Sequence, residues 1–206
     1  MMLPTHAVVG LAIAAPLMVL APDLAPAALA GGLAGGIFPD LDMYAGHRKT
    51  FHYPTLFPVL TLPAALLAVV YPHPAVVGGA FLLAGAAAHC QMDRFGGGLE
   101  LRPWEGNSEK AVYDHVRGRW RQPKRWIAYD GSPQDLALLT AVSLPLVVVL
   151  PDPFRAIVAL AWLIGAVYTL LRRRLALIAP VVFGYAPQWL AQYVPERYRP
   201  ETVDGS

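Results

Sequence analysis

The sequence predicts an all-α fold: a polytopic helical membrane protein with about six membrane helices, some of them partial, and a polar cytoplasmic cap loop. Of the 206 residues, 56% are hydrophobic and 15% are charged, and the mean hydropathy is +0.44. Soluble domains carry about 25% charged residues, so this composition excludes an ordinary soluble domain and indicates a chain embedded in lipid. We therefore expect a single membrane-embedded domain over residues 1–206.

Six apolar runs are separated by proline, aspartate and glycine residues. They cover approximately residues 7–22, 24–38, 55–71, 74–92, 134–150 and 154–171. A helix needs about 20 residues to cross a bilayer, and several of these runs are shorter. We therefore expect some of the six helices to cross only part of the bilayer, with four spans and two buried helices as the alternative.

The second apolar run contains two overlapping pairs of glycines at four-residue spacing. Gly31 with Gly35, and Gly32 with Gly36, leave two faces of this helix without side chains. Small residues at this spacing let membrane helices approach closely. The second helix is therefore expected to pack tightly against its neighbours.

The basic residues predict which side of the membrane each loop occupies. If the six helices alternate in direction, every lysine and arginine except Arg155 lies on one side, together with both termini and the loop 39–54. Basic residues mark the cytoplasmic side, so we expect a multi-pass protein of the cell membrane whose 39–54 loop faces the cytoplasm. The first basic residue is Arg48, so a cleaved signal peptide is not expected.

Two segments lie outside the apolar runs. The polar insertion 93–133 interleaves arginine and tryptophan between Arg117 and Trp126, a pattern that suits anionic lipid headgroups. A solvated loop and, less favoured, a nucleic-acid site are the alternatives. Residues 175–206 are interrupted by prolines, which indicates a segment along the membrane interface followed by a loosely held tail.

The candidate ligands cluster on the predicted cytoplasmic side. His89 and Asp93 are four residues apart and so lie on one helical face. Ionisable groups at the end of an apolar helix usually line a cavity or pathway. The full set combines carboxylates and imidazoles, the ligands that zinc, manganese and iron accept: His6, Asp40, Asp42, His47, His52, His89 and Asp93. The plainer alternative is a polar loop whose aspartates cap a turn and whose histidines are solvated.

Four short segments follow one another in the first half of the chain: Thr5-His6 with Gly10, residues 36–42 (GIFPDLD), His47-Arg48 with His52, and His89 with Asp93 before a glycine-rich loop. In order and spacing they resemble the YdjM-type membrane-bound metal-dependent hydrolases. That resemblance implies a relation to zinc-dependent phospholipase C and the single-strand nucleases, which hold clusters of metals on Asp and His ligands in all-helical folds. One departure is Phe51-His52-Tyr53, where the family usually has Thr-His-Ser.

The resemblance implies metal-assisted hydrolysis of a phosphoester on a lipid or lipid-linked substrate. We expect one divalent ion, zinc before manganese or iron, on His89, Asp93, one of Asp40 and Asp42, and one of His47 and His52. His6 with a shared carboxylate is expected at a second ion, and Arg48 is expected to clamp phosphate beside the catalytic Asp93. The alternatives are a noncatalytic scaffold with a structural metal and an ion-coupled transporter, which would place polar groups at mid-membrane.

Overall fold

A computed structural model describes residues 1–185 together with residues 187 and 194, and it confirms the mainly helical fold. Its α-helices are α1 (Leu3–Ala14), α2 (Leu17–Leu20), α3 (Ala25–Ile37), α4 (Leu56–Val70), α5 (Pro74–Phe95), α6 (Pro133–Val149) and α7 (Phe154–Gly184). Three 3-10 segments occur at Pro22–Leu24, Phe38–Tyr44 and Pro103–Glu105. A small antiparallel hairpin is formed by β1 (Val112–Asp114) and β2 (Arg119–Arg121).

Four helical segments of the described residues are long and apolar enough to cross a membrane. These are Leu3–Leu20, Pro22–Met43, Pro74–Phe95 and Phe154–Gly184. The helices α4 and α6 are shorter, so six full spans are not shown. They are not buried helices either, because each presents apolar side chains outward, such as Leu62 on α4 (73% exposed) and Val148 on α6 (79%).

Helix α3 lies between α1 and α5, and its two glycine faces explain how closely it packs. A Cβ at Gly35 would collide with the backbone carbonyl of Leu82 in α5. A Cβ at Gly36 would press against the backbone of His6 in α1. The absence of side chains thus brings three backbones together, and the ends of α1, α3 and α5 meet.

Helix α7 is longer than the last apolar run. It continues through Arg172, Arg173 and Arg174 and includes Pro180 before ending at Gly184. The segment expected to begin at residue 175 is therefore helical at its start. Apart from residues 187 and 194, the chain after Tyr185, including most of the expected loose tail, lies outside the described residues.

The polar insertion is partly folded rather than a plain loop. Asp114 in β1 accepts hydrogen bonds from Arg121 Nη2 (2.7 Å) and Thr55 Oγ1 (3.0 Å), which ties the hairpin to the start of α4. Burial opposes ionisation of Asp114, but these two donors outweigh it and lower the pKa of the carboxyl group. Trp120 packs edge-on against Tyr113 across the hairpin, whereas Trp126 is 71% exposed.

We predict that Gly35→Ala lowers the free energy of unfolding by about 1–3 kcal/mol, because the added methyl group forces α3 and α5 apart. The measurement is equilibrium unfolding in mixed micelles. Gly79→Ala in α5 is the matched control, because no atom of the described residues lies within 4 Å of a Cβ at that position. Equal stability of the two variants would contradict the close packing of α3.

Candidate metal centre

The candidate site lies where α1, α3 and α5 meet. His6 is in the first turns of α1, and Asp40 and Asp42 are in the 3-10 segment that continues from α3. His89 and Asp93 occupy the last turns of α5 and face the same side, as their four-residue spacing requires. All of these side chains except Asp40 are fully buried, so the polar groups must satisfy one another.

Four of the predicted ligands come together: Asp40, His52, His89 and Asp93 each offer one ligand atom, and these atoms all lie within 4.8 Å of one another. His89 Nε2 is 3.4 Å from Asp40 Oδ1 and 3.4 Å from Asp93 Oδ2. His52 Nε2 is 3.7 Å and 3.1 Å from the same two oxygens. The two imidazoles and two carboxylates therefore alternate around one point.

These separations would suit one metal ion. Two ligand atoms that each lie about 2 Å from an ion are at most about 4 Å apart, and the four imidazole–carboxylate distances are shorter than that. Within the described part of the chain, the buried Nε2 of His89 has no hydrogen-bond partner. Its Nδ1 lies 2.7 Å from the carbonyl oxygen of Gly36 and donates to it, so Nε2 carries the lone pair that a metal ligand needs.

Asp42 orients His52 from behind. Its Oδ2 lies 2.9 Å from His52 Nδ1, and this contact directs His52 Nε2 towards Asp93. The carboxylate also accepts backbone N–H bonds from Arg48 (3.2 Å), Lys49 (3.2 Å) and Phe51 (3.1 Å), which shapes the loop around it. Burial alone would lower the pKa of His52, but its hydrogen bonds with Asp42 and Asp93 raise that pKa above its ordinary value.

The second oxygen of Asp93 is surrounded by donors. Asp93 Oδ1 lies 2.9 Å from the nitrogen of Met1, 3.2 Å from His6 Nε2 and 3.3 Å from Arg48 Nη2. His6 also stacks on His89, with ring centroids 3.7 Å apart. The structure thus brings His6 to the carboxylate of Asp93 but outside the group of four ligand atoms, and a second ion at His6 stays a prediction.

Arg48 is buried and links the site to the polar insertion. Its Nη1 donates to the carbonyl oxygen of Gly97 at 3.0 Å, while Nη2 faces Asp93. Burial would lower the pKa of the guanidinium, but Asp93 and Asp130 outweigh that effect and raise it. Within the described residues, Nε has no hydrogen-bond partner.

The other histidines lie at or beyond the edge of the site. His47 Nδ1 is 3.3 Å from Asp42 Oδ1 and 3.9 Å from Asp40 Oδ1, and its side chain is partly exposed. His115 is exposed, and its Nε2 donates a hydrogen bond to the carbonyl oxygen of Lys49 at 2.6 Å. His73 caps the opposite end of α5.

A cavity of about 430 Å³ opens beside the cluster. Asp40, His47 and Arg48 line it together with apolar residues of α1, α3 and α7. His52, His89 and Asp93 do not line it and are closed off from solvent. Asp40 is therefore the ligand through which the cluster meets the cavity.

Sequence reasoning missed the groups that hold the site in place. Asp135 in α6 accepts a hydrogen bond from Thr5 Oγ1 at 2.8 Å, next to His6. The spacing of Ser132 and Asp135 is typical of a helix N-terminus, but it gives no indication of the contact with Thr5. In α7, Arg172 Nε donates to Asp130 at 3.1 Å, a contact that a basic residue inside an apolar helix could have suggested.

Comparison of this chain with protein-family models, with curated proteins and with solved structures finds no match.

We predict that the purified protein binds one divalent ion at the cluster, and that His89→Ala loses most of it. The reason is that His89 supplies a buried nitrogen that is already oriented by Gly36. The measurement is elemental analysis for zinc, manganese and iron after dialysis. His73→Ala is the matched control, since this histidine lies at the far end of the same helix; equal loss of metal from both variants would contradict the site.

We predict that Asp42→Asn lowers metal affinity roughly 10–100-fold without removing the site, as expected for a residue that orients a ligand. Excess metal should then restore one ion per chain to this variant. Competition with a chromophoric chelator measures the affinity. An unchanged affinity would show that Asp42 does not act through His52.

Proposed function

We propose that this protein is a membrane-bound metal-dependent hydrolase of the YdjM type, which cleaves a phosphoester of a lipid or lipid-linked substrate at the cytoplasmic face. One observation carries the proposal: two imidazoles and two carboxylates meet around one point, and one of them, Asp40, lines a cavity. A catalytic metal site must be reached by substrate or water, and the cavity gives that access at Asp40.

The chemistry is redox-neutral hydrolysis. The bond between phosphorus and the ester oxygen breaks, the oxygen of a water molecule forms a new bond to phosphorus, and a proton passes to the leaving oxygen. When bound, a divalent ion supplies polarisation of a phosphoryl oxygen and lowers the pKa of water. The side chains of the protein would bind and orient the phosphoester and transfer the proton.

Each residue of the cluster has a task in this proposal. Asp40, His52, His89 and Asp93 would hold the ion. Imidazole and carboxylate are both ligands that zinc accepts, and we propose zinc before manganese or iron. His47, at the cavity wall, can accept or release a proton at a ring nitrogen. Arg48 lines the same cavity. Within the described residues its Nε has no hydrogen-bond partner, and its guanidinium suits phosphate oxygens.

The lipid substrate is supported by the surroundings of the cluster. Four helical segments in the described part of the chain are long and apolar enough to span a membrane, and the cluster lies at the end of α5 that also carries the polar insertion. Among the described residues, that end holds nearly all of the lysines and arginines, which favours the cytoplasmic side. A phosphorylated headgroup at the membrane surface lies within reach of a site so placed.

A noncatalytic scaffold is the second candidate, and the contacts of Asp93 favour it. Asp93 joins α5 to α1 through His6 and to the polar insertion through Arg48. Removing its carboxylate would leave a buried guanidinium unpaired, which typically costs about 3–5 kcal/mol. Asp93→Ala would therefore lower stability under either hypothesis and cannot distinguish them.

Asp40→Asn is the sharper test. It replaces the ligand of the cluster that lines the cavity with a neutral group of the same shape, and it leaves the ion pair between Arg48 and Asp93 in place. We predict a fall in turnover of at least about 100-fold, within the range for a group acting in the transition state, with a small change in melting temperature. The assay is release of phosphate or phosphorylated headgroup from phospholipids and lipid pyrophosphates, with added zinc or manganese.

Sealed inverted vesicles, which present the cytoplasmic face, should be active without detergent, and intact spheroplasts should not. A wild-type protein with no metal-dependent hydrolysis on this panel, together with a large drop in melting temperature on removing the metal, would favour the scaffold instead.

A further inference from the structure

The cavity beside the cluster has a polar end and an apolar end. Asp40, His47 and Arg48 line it near the candidate ligands, and Asp130 lies there too, 2.6 Å from the hydroxyl oxygen of Tyr168. Away from this end the lining is apolar and comes from the first turns of α1, the last turns of α3 and the outer face of α7.

The cavity extends along α7 from Tyr168 to Ile157. That distance is about 16 Å at 1.5 Å per residue, roughly half of the 30 Å hydrocarbon core of a bilayer. Leu160 and Ile164 line it and are 57% and 51% exposed, so the cavity is open on the side of α7 that faces outward. An occupant can therefore enter sideways from the surrounding lipid.

We propose that this cavity binds one hydrocarbon chain of the substrate, with the anionic phosphate headgroup at Asp40, His47 and Arg48. The inference rests on the proposed function for the identity of the headgroup. It narrows the substrate to an amphiphile that enters from one leaflet of the membrane. A soluble phosphoester would leave the apolar lining unused.

The size of the cavity suits a small molecule. Its volume of about 430 Å³ lies within the range of small-molecule sites, and a single hydrocarbon chain matches its length along α7.

The test uses a dodecylphosphonate carrying a photoreactive diazirine, which cannot be hydrolysed at a phosphoester. With the diazirine at the end of the chain, we expect crosslinks near Ile157 and Leu160. With the diazirine beside the phosphonate, we expect them near Met43 and Tyr168. Ethylphosphonate, which has the headgroup and almost no chain, should compete weakly, whereas unlabelled dodecylphosphonate should compete strongly.

Two tryptophan variants test the cavity itself. Ile164→Trp fills the cavity, and losing contact with two or three methylene groups corresponds to a fall in affinity of roughly ten- to fiftyfold. Leu163→Trp is the matched control, because Leu163 is on the same helix, is 55% exposed and does not line the cavity. It should leave labelling unchanged.

Several results would overturn the inference: crosslinks spread over the outward face around Leu163, equal effects of the two tryptophan variants, or equal competition by ethylphosphonate. Labelling of the same positions by an alkane without phosphonate would show a nonspecific lipid groove and would also overturn it.

Cavity labelling without any hydrolysis by the wild type would contradict the proposed function alone. Equally fast hydrolysis of ethyl and dodecyl phosphate, without cavity labelling, would contradict this inference alone.

Discussion

The site depends on the backbone contact of α3 with its two neighbours. The glycines of α3 face α5 on one side and α1 on the other, so His6, the segment after α3 and the last turns of α5 reach one point. The same contact places the carbonyl oxygen of Gly36 within 2.7 Å of His89 Nδ1. With larger side chains on α3, the cluster would lose both its compactness and the hydrogen bond that fixes the orientation of the His89 ring.

Part of the site could be predicted because it depends on regular geometry. The four-residue spacing of His89 and Asp93 places both on one face of any helix. The choice between Asp40 and Asp42 could not be predicted, since both belong to a 3-10 segment that no sequence signal revealed. With about 3 residues per turn, two residues that are two positions apart point in different directions, so one carboxylate faces the cluster and the other faces the back of His52.

The number of membrane-spanning helices was harder to predict from the sequence than the all-helical fold class. Apolar composition locates α4 and α6, but their ends depend on prolines and turns that the composition does not fix. Likewise, the last apolar run ends at residue 171, whereas α7 continues through Arg172, whose charge is paired with Asp130. Tertiary pairing of this kind overrides a local signal, and a single sequence does not reveal the partner.

The pairing of Arg172 with Asp130 links the site to the thickness of the bilayer. From Phe154 to Arg172, α7 extends about 27 Å, close to the hydrocarbon core of about 30 Å. If α7 crosses a membrane, Arg172 lies at the boundary between the hydrocarbon core and the headgroups. Asp130, which lines the cavity and pairs with Arg172, is then held at the same depth. Hydrophobic mismatch, which tilts or shifts a helix in thinner or thicker bilayers, would therefore move the cavity mouth relative to the headgroups.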